Sequence, residues 1–259
     1  MHRTKSHPRG LRPSPTHLVI CVLLVGFWGA PAYGQDPDDG GLYYAVRSDA
    51  TIYARSDTTR PYVSLGLREP VHLLSADSAW AEVRTADGAR GLIRAGDISN
   101  VWVRISKKSQ TLYVYRGDEL IRRMPADLGY NFFSDKEKRG SRDDPDHWRT
   151  PDGIFYVVGK NPASQFHRAF VLNYPNREDA VRGLRSDLIS ESEYRRIIRA
   201  DSLFAMPPMN TALGGWIEIH GDGTGRRANW TQGCIAIEND IIDRLWDVIH
   251  VGTPVLIEP

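Results

Sequence analysis

Cysteine is nearly absent from this chain of 259 residues: only Cys21 and Cys234 occur, too few for the disulfide framework of a small secreted scaffold. Neither sign of charge is in excess, with 33 Lys and Arg against 32 Asp and Glu. That balance argues against nucleic acid or an anionic membrane as the main partner, because both select a basic face. The one long apolar run, residues 18–27, is too short to span a bilayer well, and no second run approaches that length. There is no internal repeat and no low-complexity tract, which sets aside solenoids and disordered linkers. The rest is the composition of an ordinary globular protein.

The first forty residues read as an export signal. Arg3, Lys5, Arg9 and Arg12 precede the apolar run, and Ala32-Tyr33-Gly34 supplies a small-x-small cleavage site. Residues 1–34 hold four Lys or Arg and no Asp or Glu, so cutting there leaves 29 basic against 32 acidic residues. The 225 residues that remain suffice for one or two domains. Cys21 is discarded with the signal, and no membrane span is expected afterwards. Cys234 is then a lone thiol in an oxidising compartment, where it has no internal partner.

An acidic Gly/Asp linker, residues 35–41, leads into two unlike regions. Residues 42–99 carry short alternating runs: Thr51-Ile-Tyr-Ala-Arg, Val71-His-Leu-Leu, Trp80-Ala-Glu-Val-Arg and Gly91-Leu-Ile-Arg, with a turn at Asp87-Gly88. Many short strands at close spacing predict a small barrel or sandwich. The order Tyr53-Ala-Arg-Ser, Leu65-Gly-Leu, Val71, Trp80-Ala-Glu-Val and Gly91-Leu-Ile resembles a bacterial SH3-like domain, a module often found on cell-wall proteins.

Residues 101–259 have a different pattern. Val101-Trp-Val-Arg-Ile, Thr111-Leu-Tyr-Val-Tyr, Ile154-Phe-Tyr-Val-Val, Ala169-Phe-Val-Leu and Thr253-Pro-Val-Leu-Ile read as strands. Residues 134–148 are polar and charged with no periodicity, which suits either a surface loop or a mobile flap beside a site, the surface loop being the preferred reading. Ser190 with Glu193 makes a capping box that opens a helix to about Ala200. Its Arg195, Arg196 and Arg199 face reads as solvated surface. A last helix is expected from Asn239 as N-cap, with Ile241, Leu245 and Val248 on one face and Gly252 as its stop.

A free cysteine ordinarily serves as a small buried hydrophobe. To attack a carbonyl it must lose its proton, which needs an adjacent base. Of the five histidines beyond residue 34, His220 stands apart because it ends the run Trp216-Ile-Glu-Ile-His and is followed by the flexible Gly221-Asp-Gly-Thr-Gly. Cys234 comes fourteen residues later, behind Gly233, which can turn the backbone sharply and bare amides toward a developing oxyanion. The export signal, the strand-end histidine and this glycine favour chemistry over packing.

Ile219-His220-Gly221, the spacing to Thr231-Gln-Gly-Cys-Ile, Asn239 and the closing Gly252-Thr-Pro-Val resemble the catalytic domain of L,D-transpeptidases. Supporting matches are Thr111-Leu-Tyr-Val-Tyr, Thr150-Pro-Asp-Gly-Ile-Phe and Phe170-Val-Leu-Asn-Tyr-Pro-Asn, so the resemblance spans residues 101–257. It implies a mainly β protein, an SH3-like barrel followed by a β-sandwich catalytic domain with a few helices. It implies a periplasmic or wall-associated place and peptidoglycan stem peptides as substrate. Cys234 is the implied nucleophile and His220 its base, with Gly233, Gln232 and Gly221 supplying oxyanion or orienting groups. Trp230, Thr231, Arg226, Arg227, Tyr174 and His167 are candidate substrate contacts. No metal or cofactor is needed, and carbapenem-type inhibitors are expected to acylate the thiol.

Two residues depart from the family pattern. Gln232 stands where a second histidine is usual and cannot carry protons, and Ala236 stands where an arginine commonly follows the cysteine. Three readings follow: a transpeptidase, a hydrolase of the same stems, or an inactive wall-binding protein working through residues 42–99.

Overall fold

In a computed structural model the structure describes residues 41–54 and 58–259; the expected signal segment lies outside these residues. The described residues fall within one compact unit. It is mainly β, with two large sheets, each on its own hydrophobic core.

The first sheet is built from β1 (Leu42–Ala45), β2 (Ala50–Tyr53), β3 (Pro61–Leu65), β4 (Pro70–Ala76), β5 (Trp80–Thr85), β6 (Arg90–Arg94) and β7 (Ile98–Ser99), in the order β3-β2-β6-β5-β4-β1-β7. Alternation sets its inner face. In β5, Ala81, Val83 and Thr85 are buried while Trp80, Glu82 and Arg84 are more open. Ala45, Ile52, Leu65, Val71, Val83 and Ile93 meet in one core.

The second region begins with β8 (Val101–Ser106), β9 (Thr111–Arg116), β10 (Glu119–Pro125) and β11 (Leu128–Gly129). Next come β12 (Gly153–Ser164), β13 (His167–Leu172), α1 (Arg177–Arg185) and α2 (Glu191–Ser202). The chain ends with β14 (Glu218–His220), β15 (Asn229–Thr231), β16 (Ile235–Ala236), α3 (Asn239–Leu245) and β17 (Pro254–Glu258). Its main sheet runs β10-β9-β8-β17-β12-β13-β14-β16, with β11 and β15 paired beside it. Val103, Ile105, Phe155, Val157, Phe170, Ile219, Ile235 and Val255 fill the core beneath. The pairing that matters most is parallel: β14 lies beside β16 with Ile219 opposite Ile235 and His220 opposite Ala236.

The helices follow their caps. Ser190 Oγ accepts from the Glu193 amide at 3.2 Å and Glu193 Oε2 accepts from the Ser190 amide at 3.0 Å, so α2 starts where the capping box placed it. An equivalent box opens α1: Asn176 Oδ1 accepts from the Asp179 amide at 3.1 Å, and Asp179 Oδ2 accepts from the Asn176 amide at 2.9 Å. The expected start of the last helix is corrected. Its N-cap is Glu238, and Asn239 lies within the helix, its side-chain oxygen accepting instead from the Asp222 amide at 2.7 Å. The helix also ends at Leu245, so Val248 lies beyond it and Gly252, at φ 92°, shapes the turn into β17.

Candidate active site

Cys234 precedes the partner of His220 by two positions. Cys234 stands immediately before β16, so this pairing brings it alongside β14, the strand that His220 ends. Both line one cleft of about 610 Å³, together with Lys136, Trp148, Phe166, Trp216, Glu218, Trp230, Thr231 and Gln232.

The turn before Cys234 is specified by two small residues. Thr231 Oγ1 donates to Cys234 O at 2.7 Å and accepts from the Gly233 amide at 3.2 Å, tying the loop into a tight knot. Gly233 sits at φ 128°, and a Cβ there would come 2.5 Å from Arg149 O. Gly221 is required for closeness: a Cβ would fall 2.3 Å from Asn239 Oδ1 and 2.7 Å from Phe166 O. With the Gly233 amide engaged by Thr231, the Cys234 amide is the freer donor toward an oxyanion.

His220 is buried and held from three sides. Its Nδ1 lies 2.7 Å from Gly221 O, so Nδ1 carries the hydrogen and Nε2 is left with a lone pair. The Phe166 ring stacks on the imidazole at 4.4 Å, and Trp230 meets it edge-on at 6.0 Å. Trp230 is aimed by Asp127, which accepts its indole N–H at 2.9 Å and also receives Thr224 N, Thr224 Oγ1 and Ala228 N.

The electrostatics describe a neutral resting pair. Burial pushes the Cys234 thiol up to about 12, even though the Glu218 backbone N–H and the Lys136 charge act the other way. Burial likewise lowers His220, against the raising effect of its bond to Gly221. The thiol proton is directed at Trp216 O, 3.3 Å from Sγ. Trp216 itself sits at φ 56°, a left-handed conformation costly for an aromatic residue and frequent at functional sites. Both shifts favour the neutral thiol and neutral imidazole over a thiolate–imidazolium pair.

Residues 134–148 are not a plain surface loop: Lys136, Arg139, Gly140, Arg142 and Trp148 form one wall of the cleft. That wall is braced from behind. Lys107 Nζ donates to Ser134 O at 3.0 Å and Thr150 O at 3.2 Å and pairs with Asp152 at 2.8 Å. Arg182 binds Asp135 at 3.0 Å and Lys136 O at 2.7 Å, and Arg139 Nε donates to Thr211 O at 3.1 Å.

Among the residues singled out from sequence, Cys234, His220, Trp230, Thr231 and Gln232 meet in the cleft, and Gly233 and Gly221 shape its backbone. The other four do not line it. Tyr174 is buried in the core, its hydroxyl donating to Leu213 O at 2.9 Å. His167 pairs with Asp243 at 2.9 Å, Arg226 is exposed, and Arg227 donates to Ser109 O at 3.0 Å. Phe166, Asp127, Lys136, Glu218 and Trp216 were missed. None stands in a spacing that marks chemistry, and the charged run around Lys136 has the composition of solvated surface.

No curated protein matches the chain. Among solved structures it is similar to Bd1075 from Bdellovibrio bacteriovorus, at 25% identity over 61% of this chain and 47% of that one, with a TM-score of 0.37. It is similar to the helical cell shape determining protein Pgp2 from Campylobacter jejuni, at 23% identity over 62% and 48%, TM-score 0.42. A third is an L,D-transpeptidase from Mycobacterium smegmatis, at 18% identity over 71% and 69%, TM-score 0.35. The chain spans about half the length of the first two. The YkuD profile, which describes the L,D-transpeptidase catalytic domain, matches residues 100–257. This covers more than half of the chain, which therefore belongs to the L,D-transpeptidase catalytic domain family.

Proposed function

We propose that the protein is an exported cysteine L,D-transpeptidase of peptidoglycan, with a signal at residues 1–34 and an SH3-like wall-binding module at residues 42–99. Placement of Cys234 and His220 in one cleft, at the ends of two paired strands, carries this reading.

His220 Nε2 takes the thiol proton as Sγ attacks the carbonyl between the third and fourth residues of a tetrapeptide stem. The oxyanion is met by the Cys234 amide. The C–N bond breaks, the leaving amine of D-alanine takes the proton from the imidazole, and a thioester remains. An amine from a second stem then attacks the thioester and gives up its proton to His220, releasing the cross-linked product and the thiol. A neutral pair suits this sequence, because the base is already unprotonated at neutral pH and charge develops only as the bond forms.

Hydrolysis is the second reading, favoured by one observation. Position 236, where the family commonly has an arginine, is a buried alanine whose backbone is bridged to Asp127, so no cation helps hold an acceptor stem there. Incubation with purified tetrapeptide muropeptides separates the readings: dimers mean transpeptidation, shortened monomers alone mean hydrolysis. A mass increase with imipenem that is lost in Cys234→Ser supports the nucleophile. No adduct and no product from the intact protein would end the proposal.

A further inference from the structure

Two lysines of this domain are buried to a similar depth and treated differently. Lys107, 1% exposed, has a carboxylate and two carbonyls around its ammonium. Lys136, 3% exposed, has one neutral acceptor, His147 O at 3.1 Å. An ammonium has three hydrogens to donate. Among the described residues, two of those on Lys136 have no acceptor and no carboxylate lies within ion-pair distance. Lysines are rarely this buried without a counter-charge, because desolvation is then uncompensated.

Neighbouring acids are committed elsewhere. Asp135 accepts from the Lys136 and Asp152 amides and pairs with Arg182; Asp179 pairs with the same arginine. Glu218 lines the cleft but has no ion pair with Lys136 among the described residues. Arg139, on the same wall, spends Nε and Nη2 on Thr211 O, Met209 O and Asn210 Oδ1, which ties its guanidinium to that segment and leaves Nη1 as its remaining donor. Lys136 is also near enough to the nucleophile for its charge to act on the thiol. Its position is fixed, since Arg182 and the Asp135 side chain hold the backbone on either side.

We propose that Lys136 is a substrate-binding residue whose unpaired ammonium receives a carboxylate of the peptide beside the bond that Cys234 attacks. The inference rests on the proposed function and sharpens it: the preferred substrate carries a free carboxylate next to the scissile carbonyl. Two carboxylates of a tetrapeptide stem meet that description, the C-terminal one of the departing residue and the side-chain one of a diaminopimelate at position three.

The test measures binding of three ligands to the full chain carrying Cys234→Ala, by calorimetry: the tetrapeptide stem, its C-terminal amide and its side-chain amide. One amide is expected to bind about ten- to hundredfold more weakly, the loss of a charge-assisted hydrogen bond. Lys136→Met should weaken the intact stem by a similar factor and weaken that amide no further. Whichever amide behaves so identifies the carboxylate. Equal affinity of all three ligands, within about twofold, overturns the proposal, as does an intact-stem affinity untouched by Lys136→Met. If no stem binds, the proposal falls, and turnover by the unaltered enzyme shows separately whether the catalytic reading stands. The amide arms retain Lys136, so a misfolded variant leaves them decisive.

Discussion

The ring of Phe166 lies nearly flat on the imidazole of His220, with 4.4 Å between centroids and 22° between planes. Gly221 O fixes rotation of the imidazole within its plane, and Phe166 with Trp230 fixes its tilt. Phe166 touches the base and shields it from water, which is part of why burial lowers its pKa.

Phe166→Leu is therefore expected to lower kcat by roughly ten- to hundredfold, the effect of a misaligned base, with KM little changed. The acidic limb of the rate profile should move to higher pH as water reaches the imidazole. It can be followed by muropeptide turnover between pH 4 and about 8, a range that brackets the ordinary histidine value. An unmoved limb would mean that the ring only fills space.

The neutral resting pair makes its own prediction. With the thiol pushed up to about 12 and His220 lowered, neither group is ionised near pH 7. Alkylation of Cys234 by iodoacetamide, read by mass, should be slow at neutral pH and still rising past the ordinary thiol value of about 8.5. A fast plateau beginning below pH 7 would instead reveal a stable thiolate–imidazolium pair. Substrate turnover should fall on acidification, as His220 becomes protonated and loses its capacity as base.

Asp127 couples fold to site. Burial alone would raise its pKa, yet the hydrogen bonds from Thr224, Trp230 and Ala228 bring it below the ordinary carboxylate value. A carboxyl held below its unfolded value stabilises the fold at higher pH and loses that contribution as pH falls through the native pKa. Asp127→Asn should thus destabilise by about 2–3 kcal/mol at pH 7, with the difference closing toward acid. Urea unfolding at pH 7 and near pH 2.5, well below the ordinary carboxylate value of about 3.9, measures both; a difference constant across that range would remove the carboxylate from the account.

Sequence disclosed the parts of this molecule that depend on local rules. The β-alternation of residues 80–85 and 101–105, the Ser190 box and the His220 to Cys234 spacing are each local and survive folding. Asn176 with Asp179 gave the same kind of signal for α1 and was passed over inside the Tyr-Pro-Asn match. Asn239 misled because an Asx side chain can cap a helix or bridge a loop, and only tertiary contact with Asp222 chooses. Lys136 was hidden for a different reason. A lysine among charged residues reads as solvated, and its burial depends on Lys107 and Arg182 arriving from distant segments to brace the wall.

That burial should be measurable as lost stability. Desolvation, the largest influence, lowers the Lys136 pKa from 10.5 to about 8. Between those values the unfolded chain holds a proton that the folded chain has released, so this residue makes stability rise with pH across that window. Below pH 8 its cost is complete, on the order of 3 kcal/mol. Lys136→Met keeps the side-chain volume and removes the charge, giving up one hydrogen bond to His147 O. The variant should be more stable than the parent at pH 7, by a few degrees in Tm, while its stem binding falls. The gain should shrink as pH rises from about 8 toward 10.5. Thermal melting of both proteins across that window is sufficient. A variant less stable than the parent at every pH would show that Lys136 is already satisfied within the fold, leaving no unpaired charge for a substrate carboxylate to meet.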